Sequence, residues 1–345
     1  MTPPPRNADV DALQRAVEDA TNDALAVIRA RLSAALVDAW WPQAKAMAGL
    51  DETRTTETIA EIPHQARRMP AARKAPGHQL VYVYGFVPST LGSLDGAIAI
   101  EAGAKIERIA VDGVTALVSR VPAAAYDEAG LRARLADPEW VAARACAHDA
   151  VLRVASERGP VLPLRLCAVY EDDERVRAIL SRNRQSIDEA LRRLEGHREW
   201  GVRVHVEAEA LEPSGAAAAE IAALRAEVAS ARPGRAHFAR RRLEQREREL
   251  RMELAVELGA RVHAALCEAS ADAVRLEPRT AAVTGRSEPQ VLHAAYLVPE
   301  TRRGGFDAAV ARLGRGAGTD LQLTGPWPPF HFSRIELEIP EGADA

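Results

Sequence analysis

The chain has 345 residues, of which 47% are hydrophobic and 27% charged, and its formal net charge is -4. That length suits about two domains, and the hydrophobic share is enough to bury a core in each. A balance this close to neutral argues against phosphate-dominated binding, which needs a basic excess on one face, so no nucleic-acid partner is expected.

Residues Met1 to Asn7 are Pro-rich and lack a charged stretch followed by an apolar one, so no secretory signal is expected. No apolar run approaches the roughly 20 residues that span a bilayer, which points to a cytoplasmic protein with no membrane span. Cys146, Cys167 and Cys267 are widely spaced in apolar stretches. They read as small buried hydrophobes and form neither a disulfide framework nor a zinc spacing.

Ala8 to Trp41 reads as one amphipathic helix, with Val10, Leu13, Val17, Ala20, Ala24, Ile28, Leu32 and Leu36 at helical spacing. Asp9, Asp11, Glu18 and Asp19 sit near its start, where the helix dipole favours acids. Either it packs on its own domain or it serves as a partner-binding or self-associating arm. Residues 1–50 are assigned to this extension and 51–78 to a linker carrying Pro63, Pro70 and Pro76.

Leu80 to Val87 is a strand-like apolar run stopped by Pro88. Two β-rich runs, Lys105–Val111 and Val114–Val121, flank Asp112-Gly113, the pattern of a tight hairpin. Asp137-Pro138-Glu139 opens a helix with a cap and a first-turn proline. Its apolar face uses Val141, Cys146, Val151, Leu152 and Ala155. Pro160 to Tyr170 reads as an apolar strand. Asp172 and Asp173 open one helix through Leu194, with Val176, Ile179, Leu180, Ile187 and Leu191 facing inward. Trp200 to Val206 alternates as a half-buried strand. This order predicts an α+β domain over 79–212, close to the ferredoxin-like unit.

Ala216 to Ala271 is helical, broken by Pro233-Gly234. Leu243, Leu250, Leu254, Leu258, Val262 and Leu266 form a seam that fits a helical hairpin or short coiled coil. Arg240–Glu244, Glu244–Arg248 and Glu247–Arg251 stand four apart and are expected to pair along the helix. A second, smaller ferredoxin-like α+β part follows within 213–345. Its expected elements are strands at Arg279–Thr284 and Gln290–Val298, a helix at Phe306–Leu313, and a strand pair at Leu321–Thr324 and His331–Ile339. Ala295-Tyr296-Leu297-Val298-Pro299 echoes Tyr82 to Pro88, which hints at a shared design.

No pattern assembles an active site. A P-loop and a Gly-x-Ser-x-Gly elbow are absent, and Gly314-Arg315-Gly316 follows a helix and reads as its stop. The nine histidines are scattered. His148 could act as a general base only with a nucleophile beside it, and a core or surface role suits it better. Glu171 to Glu174 could hold a cation, yet a helix N-terminus explains the same acids. No catalytic residue, cofactor or metal ligand is therefore expected.

Two strings stand out. Pro163 inside an apolar strand removes a ladder donor, which suggests an edge or bulge, and Arg165 must find a partner or reach solvent. Trp200 lies in Glu199-Trp200-Gly201-Val202. The second string is Leu323-Thr324-Gly325-Pro326-Trp327-Pro328-Pro329-Phe330. Trp327, Pro328 and Phe330 supply apolar surface that fits either a contact hot spot or a domain core. Pro163, Arg165, Trp200, Trp327, Pro328 and Phe330 are the candidate partner contacts.

Together with Tyr82-Val83-Tyr84-Gly85-Phe86-Val87-Pro88, Gly234-Arg235-Ala236-His237-Phe238 and Tyr296-Leu297-Val298, these strings resemble the GvpL/GvpF family of gas vesicle proteins, in family order from about Leu80 to Glu338. The extension before residue 79 departs from the family pattern. Phe86 and Leu166 stand where Ile or Val and Phe are expected. The resemblance implies a non-catalytic accessory protein that contacts the hydrophobic shell protein and other accessory proteins during vesicle formation. The competing reading is a non-enzymatic regulatory protein that binds a ligand through ferredoxin-like domains.

Overall fold

A computed structural model describes residues 78–277, 288–316, 318–335 and 337–338. The expected N-terminal helix, the linker up to residue 77 and the strand expected at Arg279–Thr284 lie outside the described residues. The chain is a mixed helix-and-sheet protein with two antiparallel sheets in two compact units. The first unit contains residues 78–195 and the returning segment 328–338, and the second is Gly196–Trp327.

In the first unit, strand β1 (Gln79–Pro88) is central, and the sheet order is β2-β3-β1-β4 with β5 also on β1. β2 (Glu107–Val111) and β3 (Val114–Pro122) form the expected hairpin, closed by Val111 opposite Val114. Asp112 and Gly113 both take positive φ there, as a two-residue hairpin turn demands. β1 is buried from Leu80 to Val87, which explains why it reads as a continuous apolar run rather than an alternating one. Its register shifts between Val83 and Gly85. This bulge moves the core-facing set from Leu80, Tyr82 and Tyr84 to Val87.

That face packs on helix α3 (Pro138–Arg158), which follows the short helices α1 (Ala123–Tyr126) and α2 (Glu128–Arg134). Val141, Ala145, Val151, Leu152 and Ala155 meet the strand there. Asp137 caps α3 by accepting from the backbone N–H of Glu139 and Trp140. The opposite face carries Val81, Val83 and Phe86. Helices α4 (Asp173–Arg182) and α5 (Arg184–Leu194) contact β1, β2 and β3. Val176, Ile179, Leu180, Ile187 and Leu191 are buried as expected. Arg120 on β3 clamps Glu107 and Asp173, and its guanidinium holds the Asp173 carboxyl below its usual range.

Three expectations for this unit need correction. The single helix expected from Asp172 to Leu194 is two helices broken at Asn183. The Asn183 side chain donates to the Ile179 carbonyl at 2.8 Å and pairs with both backbone groups of Glu338. That contact joins residues 155 positions apart and has no local signal. The strand expected from Pro160 to Tyr170 is two short pieces, β4 (Leu162–Pro163) and β5 (Val169–Tyr170), separated by a turn. The strand expected from His331 is absent among the described residues. Backbone turns close there instead, with Phe330 N–H donating to Pro328 and Phe332 N–H to Pro329.

In the second unit the sheet order is β7-β8-β6-β9. β6 (His197–Val206) pairs with β8 (Gln290–Pro299) and β9 (Thr319–Trp327), and β7 (Asp272–Arg275) pairs with β8. The β6 strand, expected to complete the first sheet, is thus part of the second, and the compact units divide just ahead of it. Alternation alone fixes which face a strand buries, not which sheet it joins.

Helices α6 (Gly215–Ser230) and α7 (Pro233–Glu268) run between β6 and β7 and form the expected helical hairpin. Ile221 and Leu224 of α6 bury against Leu250, with Leu243 and Leu254 alongside. The charges pair mainly across the hairpin rather than along it. Arg225 binds Glu247 at 2.9 Å, and Arg246 binds Glu220 at 2.9 Å. The expected Glu247–Arg251 pairing is replaced because α6 brings an arginine to Glu247. The later half of α7 lies on the sheet through Val262 and Leu266, against Leu292, Ala294 and Tyr296. Gly259 permits this approach, since an added Cβ would stand 2.4 Å from the Val291 carbonyl oxygen. Helix α8 (Arg303–Leu313) connects β8 to β9 and buries Phe306 and Ala309.

Counted within its own unit, each sheet has the spatial order second, third, first, fourth, with β4 and β5 sharing the fourth place in the first unit. The Tyr82 echo at Tyr296 is therefore not between equivalent strands: β1 is the first of its sheet and β8 the third.

Candidate functional site

The turn from Leu164 to Ala168 sits on the edge of the first sheet, opposite the bulge in β1. Leu164 N–H donates to the Tyr84 carbonyl at 2.9 Å, and Val83 N–H donates to the Ala168 carbonyl at 2.8 Å. Between these anchors, Ala168 N–H donates to the Arg165 carbonyl at 3.3 Å. Leu166 points into the core, and Cys167 takes φ 62, a left-handed conformation uncommon outside glycine. Arg165 is exposed at the head of this turn, while Pro163 is buried on the edge strand opposite Gly85. Both outcomes read from the sequence hold: the proline marks an edge and the arginine reaches solvent.

A buried polar chain holds the turn from beneath. His148 is fully buried on α3. A carbonyl can only accept, so its Nε2–H donates to Leu164 at 3.2 Å. Nδ1 then accepts from the Tyr82 hydroxyl at 2.7 Å. Tyr82 in turn accepts from the Cys167 N–H at 3.4 Å. Tyr84 continues the polar set, bonding to Ser119 at 2.9 Å and accepting from Ile100 N–H at 2.7 Å. Tyr126 donates to Glu101 at 2.8 Å, and Glu101 pairs with Arg144 at 3.3 Å. These links fasten the irregular stretch between β1 and β2 to α3. The sequence reasoning missed Tyr82, Tyr84, Tyr126, Glu101 and Arg144. Two tyrosines inside an apolar strand were the available signal, because each buried hydroxyl needs a partner.

Burial dominates the ionisation of these groups. Burial lowers the His148 imidazole to about 4, so it is neutral near pH 7. Burial pushes the Cys167 thiol up to about 12 and raises Cys146 and Cys267 as well. Cys267 lies 3.7 Å from His263 Nε2, but its raised thiol is not an activated nucleophile. Among the described residues no group of three or more His, Cys, Asp or Glu side chains converges as metal ligands. No described helix is long and apolar enough to cross a membrane.

The remaining candidates are largely internal. Trp327 and Pro328 are buried, and Phe330 belongs to the core cluster of the first unit. Trp327 Nε1–H donates to Thr324 at 3.3 Å. Trp200 is half-buried under Arg303, whose guanidinium lies 3.3 Å from the ring centroid and also pairs with Asp307. Of the six candidates, only Arg165 is freely presented.

A sequence model of the family described as "Gas vesicle synthesis protein GvpL/GvpF" matches residues 80–334. The chain belongs to the GvpL/GvpF family. Gas vesicle protein L of Streptomyces sp. (strain CB03234) is 37% identical over 262 residues, covering 75% of this chain and 95% of that protein. Gas vesicle protein F of the same strain is 30% identical over 262 residues, covering 73% and 98%. The crystal structure of GvpF from Anabaena sp. PCC7120 shares the fold, with a TM-score of 0.52 at 17% identity, covering 76% of this chain and all of that one. GvpF from Microcystis aeruginosa gives 0.51 at 18%, covering 74% and 99%. Membership in the GvpL/GvpF family supports a gas vesicle-related role. The residues before 80 lie outside the family match.

Proposed function

We propose that this protein is a cytoplasmic, vesicle-associated accessory factor that binds the hydrophobic shell protein, and other accessory proteins, during gas vesicle formation. A shell subunit that lines a gas space exposes apolar surface before assembly and needs a soluble partner until it is placed. The observation that carries this reading is β9, a nine-residue strand at the edge of the second sheet with half-exposed Leu321 and Leu323. An edge of that length offers backbone donors and acceptors to an incoming strand. The Arg165 turn on the edge of the first sheet is a second contact point of the same kind.

Both units fit a ferredoxin-like origin. The second follows the full strand–helix–strand–strand–helix–strand order, with the helical hairpin as its first connection. The first keeps the strand order but crosses from β1 to β2 without a helix. The competing ligand-binding reading has less support. A cleft at the base of the hairpin, lined by Leu211, Glu212, Ile221, Arg225 and Leu254, holds about 200 Å³. That is below the roughly 300 Å³ at which ligand pockets begin.

Co-expression with the shell protein followed by affinity recovery tests the proposal. Enrichment of the shell protein over an unrelated α+β control is expected, and equal recovery with both would overturn it.

A further inference from the structure

The Gly234-Arg235-Ala236-His237-Phe238 string is not used by the proposed role. The structure places it in the first turns of α7, at the closed end of the helical hairpin. Phe238 is 75% exposed there, and Met252 and Val256 further along α7 are 71% and 69% exposed. These side chains share one face. The interval from Phe238 to Val256 is five whole turns of about 3.6 residues, roughly 27 Å along the axis, and Met252 precedes Val256 by one turn. Leu243, Leu250 and Leu254, which pack against α6, lie on the other side of the helix. α7 is thus apolar on two sides, and α6 covers one of them.

Charge along the helix is polarised. From Ala231 to Leu243 the chain carries five arginines and no acid, and from Glu244 to Glu257 it carries five acids and three arginines. Arg235 and Arg241 flank Phe238, are exposed, and have no carboxylate partner among the described residues. Glu253 and Glu257 are exposed beside Met252 and Val256. A stripe that is basic at one end and acidic at the other is complementary to itself run backwards. We infer that α7 pairs antiparallel with α7 of a second copy, about a two-fold axis level with Glu247. Phe238 of each copy then meets Val256 of the other. Arg241 comes level with Glu253, and Arg235 lies within a turn of Glu257. Parallel pairing would set arginine on arginine at one end and acid on acid at the other, which opposes it. Two facing stripes of five turns make a small interface, so the pairing is concentration-dependent. The whole contact lies on the second unit and stands independently of shell-protein binding.

Photocrosslinking of the full chain tests it. With p-benzoylphenylalanine in place of Phe238, irradiation is expected to give a cross-link of dimer mass to a peptide containing Met252 or Val256. Reversing Arg235→Glu and Arg241→Glu in that chain is expected to cut the yield by roughly a factor of ten, since the dyad repeats each exposed pair. Mixing it with a chain carrying Glu253→Arg and Glu257→Arg is expected to restore the yield, because each basic end again meets an acidic one. Circular dichroism checks that each variant is folded. Cross-links of monomer mass only, between the two 238 positions, or to other segments of the second copy would each overturn the inference. So would a yield unchanged by charge reversal or not restored by mixing.

Discussion

Tyr82 donates its hydroxyl hydrogen to His148 Nδ1 at 2.7 Å inside the first unit, joining the central strand to the helix that covers it. His148 uses its other nitrogen to hold the edge turn that presents Arg165. Removing either partner therefore loosens an exposed feature from a buried position.

Tyr82→Phe leaves Nδ1 without its donor and the Cys167 N–H without its acceptor. A loss of about 1–3 kcal/mol in unfolding free energy is expected, the range for a buried group left unsatisfied. Chemical denaturation measures it. Hydrogen exchange is expected to speed up first at residues 164–168.

His148 also sets a pH dependence. Its folded value of about 4 lies below the ordinary 6.5, so the folded state favours the neutral ring. The unfolded chain binds the extra proton first, so this contribution is intact above about pH 6.5 and is lost as pH falls toward 4. The full loss approaches roughly 3 kcal/mol. A His148→Gln variant, compared with the parent across pH 4 to 7, is expected to show a flatter profile. Parallel profiles would show that the ring does not titrate in this way.

Gly259→Ala places a methyl against the Val291 carbonyl where α7 meets β8. The helix must shift, at an expected cost of about 1–3 kcal/mol. Faster hydrogen exchange across β8, with β1 unchanged, would localise the effect to the second unit.

Arg165 and Phe330 separate contact from core. Arg165→Ala is expected to leave stability within about 0.5 kcal/mol, as for an exposed residue, while weakening recovery of the shell protein. Phe330→Ala empties a core position of the first unit, and a loss of about 3–5 kcal/mol is expected. Paired denaturation and affinity-recovery experiments distinguish them.

Features set by neighbouring residues were legible in the sequence. The Asp112-Gly113 turn, the Asp137 cap and the Pro233 break each follow from the backbone needs of a few adjacent positions. Features set at a distance were not. The break at Asn183 depends on Glu338, and the turn inside the Pro160–Tyr170 run depends on Tyr82 and His148. The assignment of β6 to the second sheet depends on β8 and β9, which follow the long hairpin. At the candidate site the pattern was the same. Proline at an edge and arginine at the surface could be read locally, but the distant partners of the tyrosines beneath them could not.

The placement of Phe330 bears on how the chain matures during translation. The first unit is built around β1 yet takes part of its core from residues made after all of Gly196–Trp327. Synthesis at roughly 5–20 residues per second delays Phe330 by many seconds after the α5 helix has emerged. The second unit has all its strands by Trp327 and does not wait on the segment that follows. The first must wait, with an unfilled apolar site, until the segment carrying Phe330 leaves the exit tunnel. A stop codon shortly before Phe330 would thus release a chain whose later unit is complete and whose earlier unit is not.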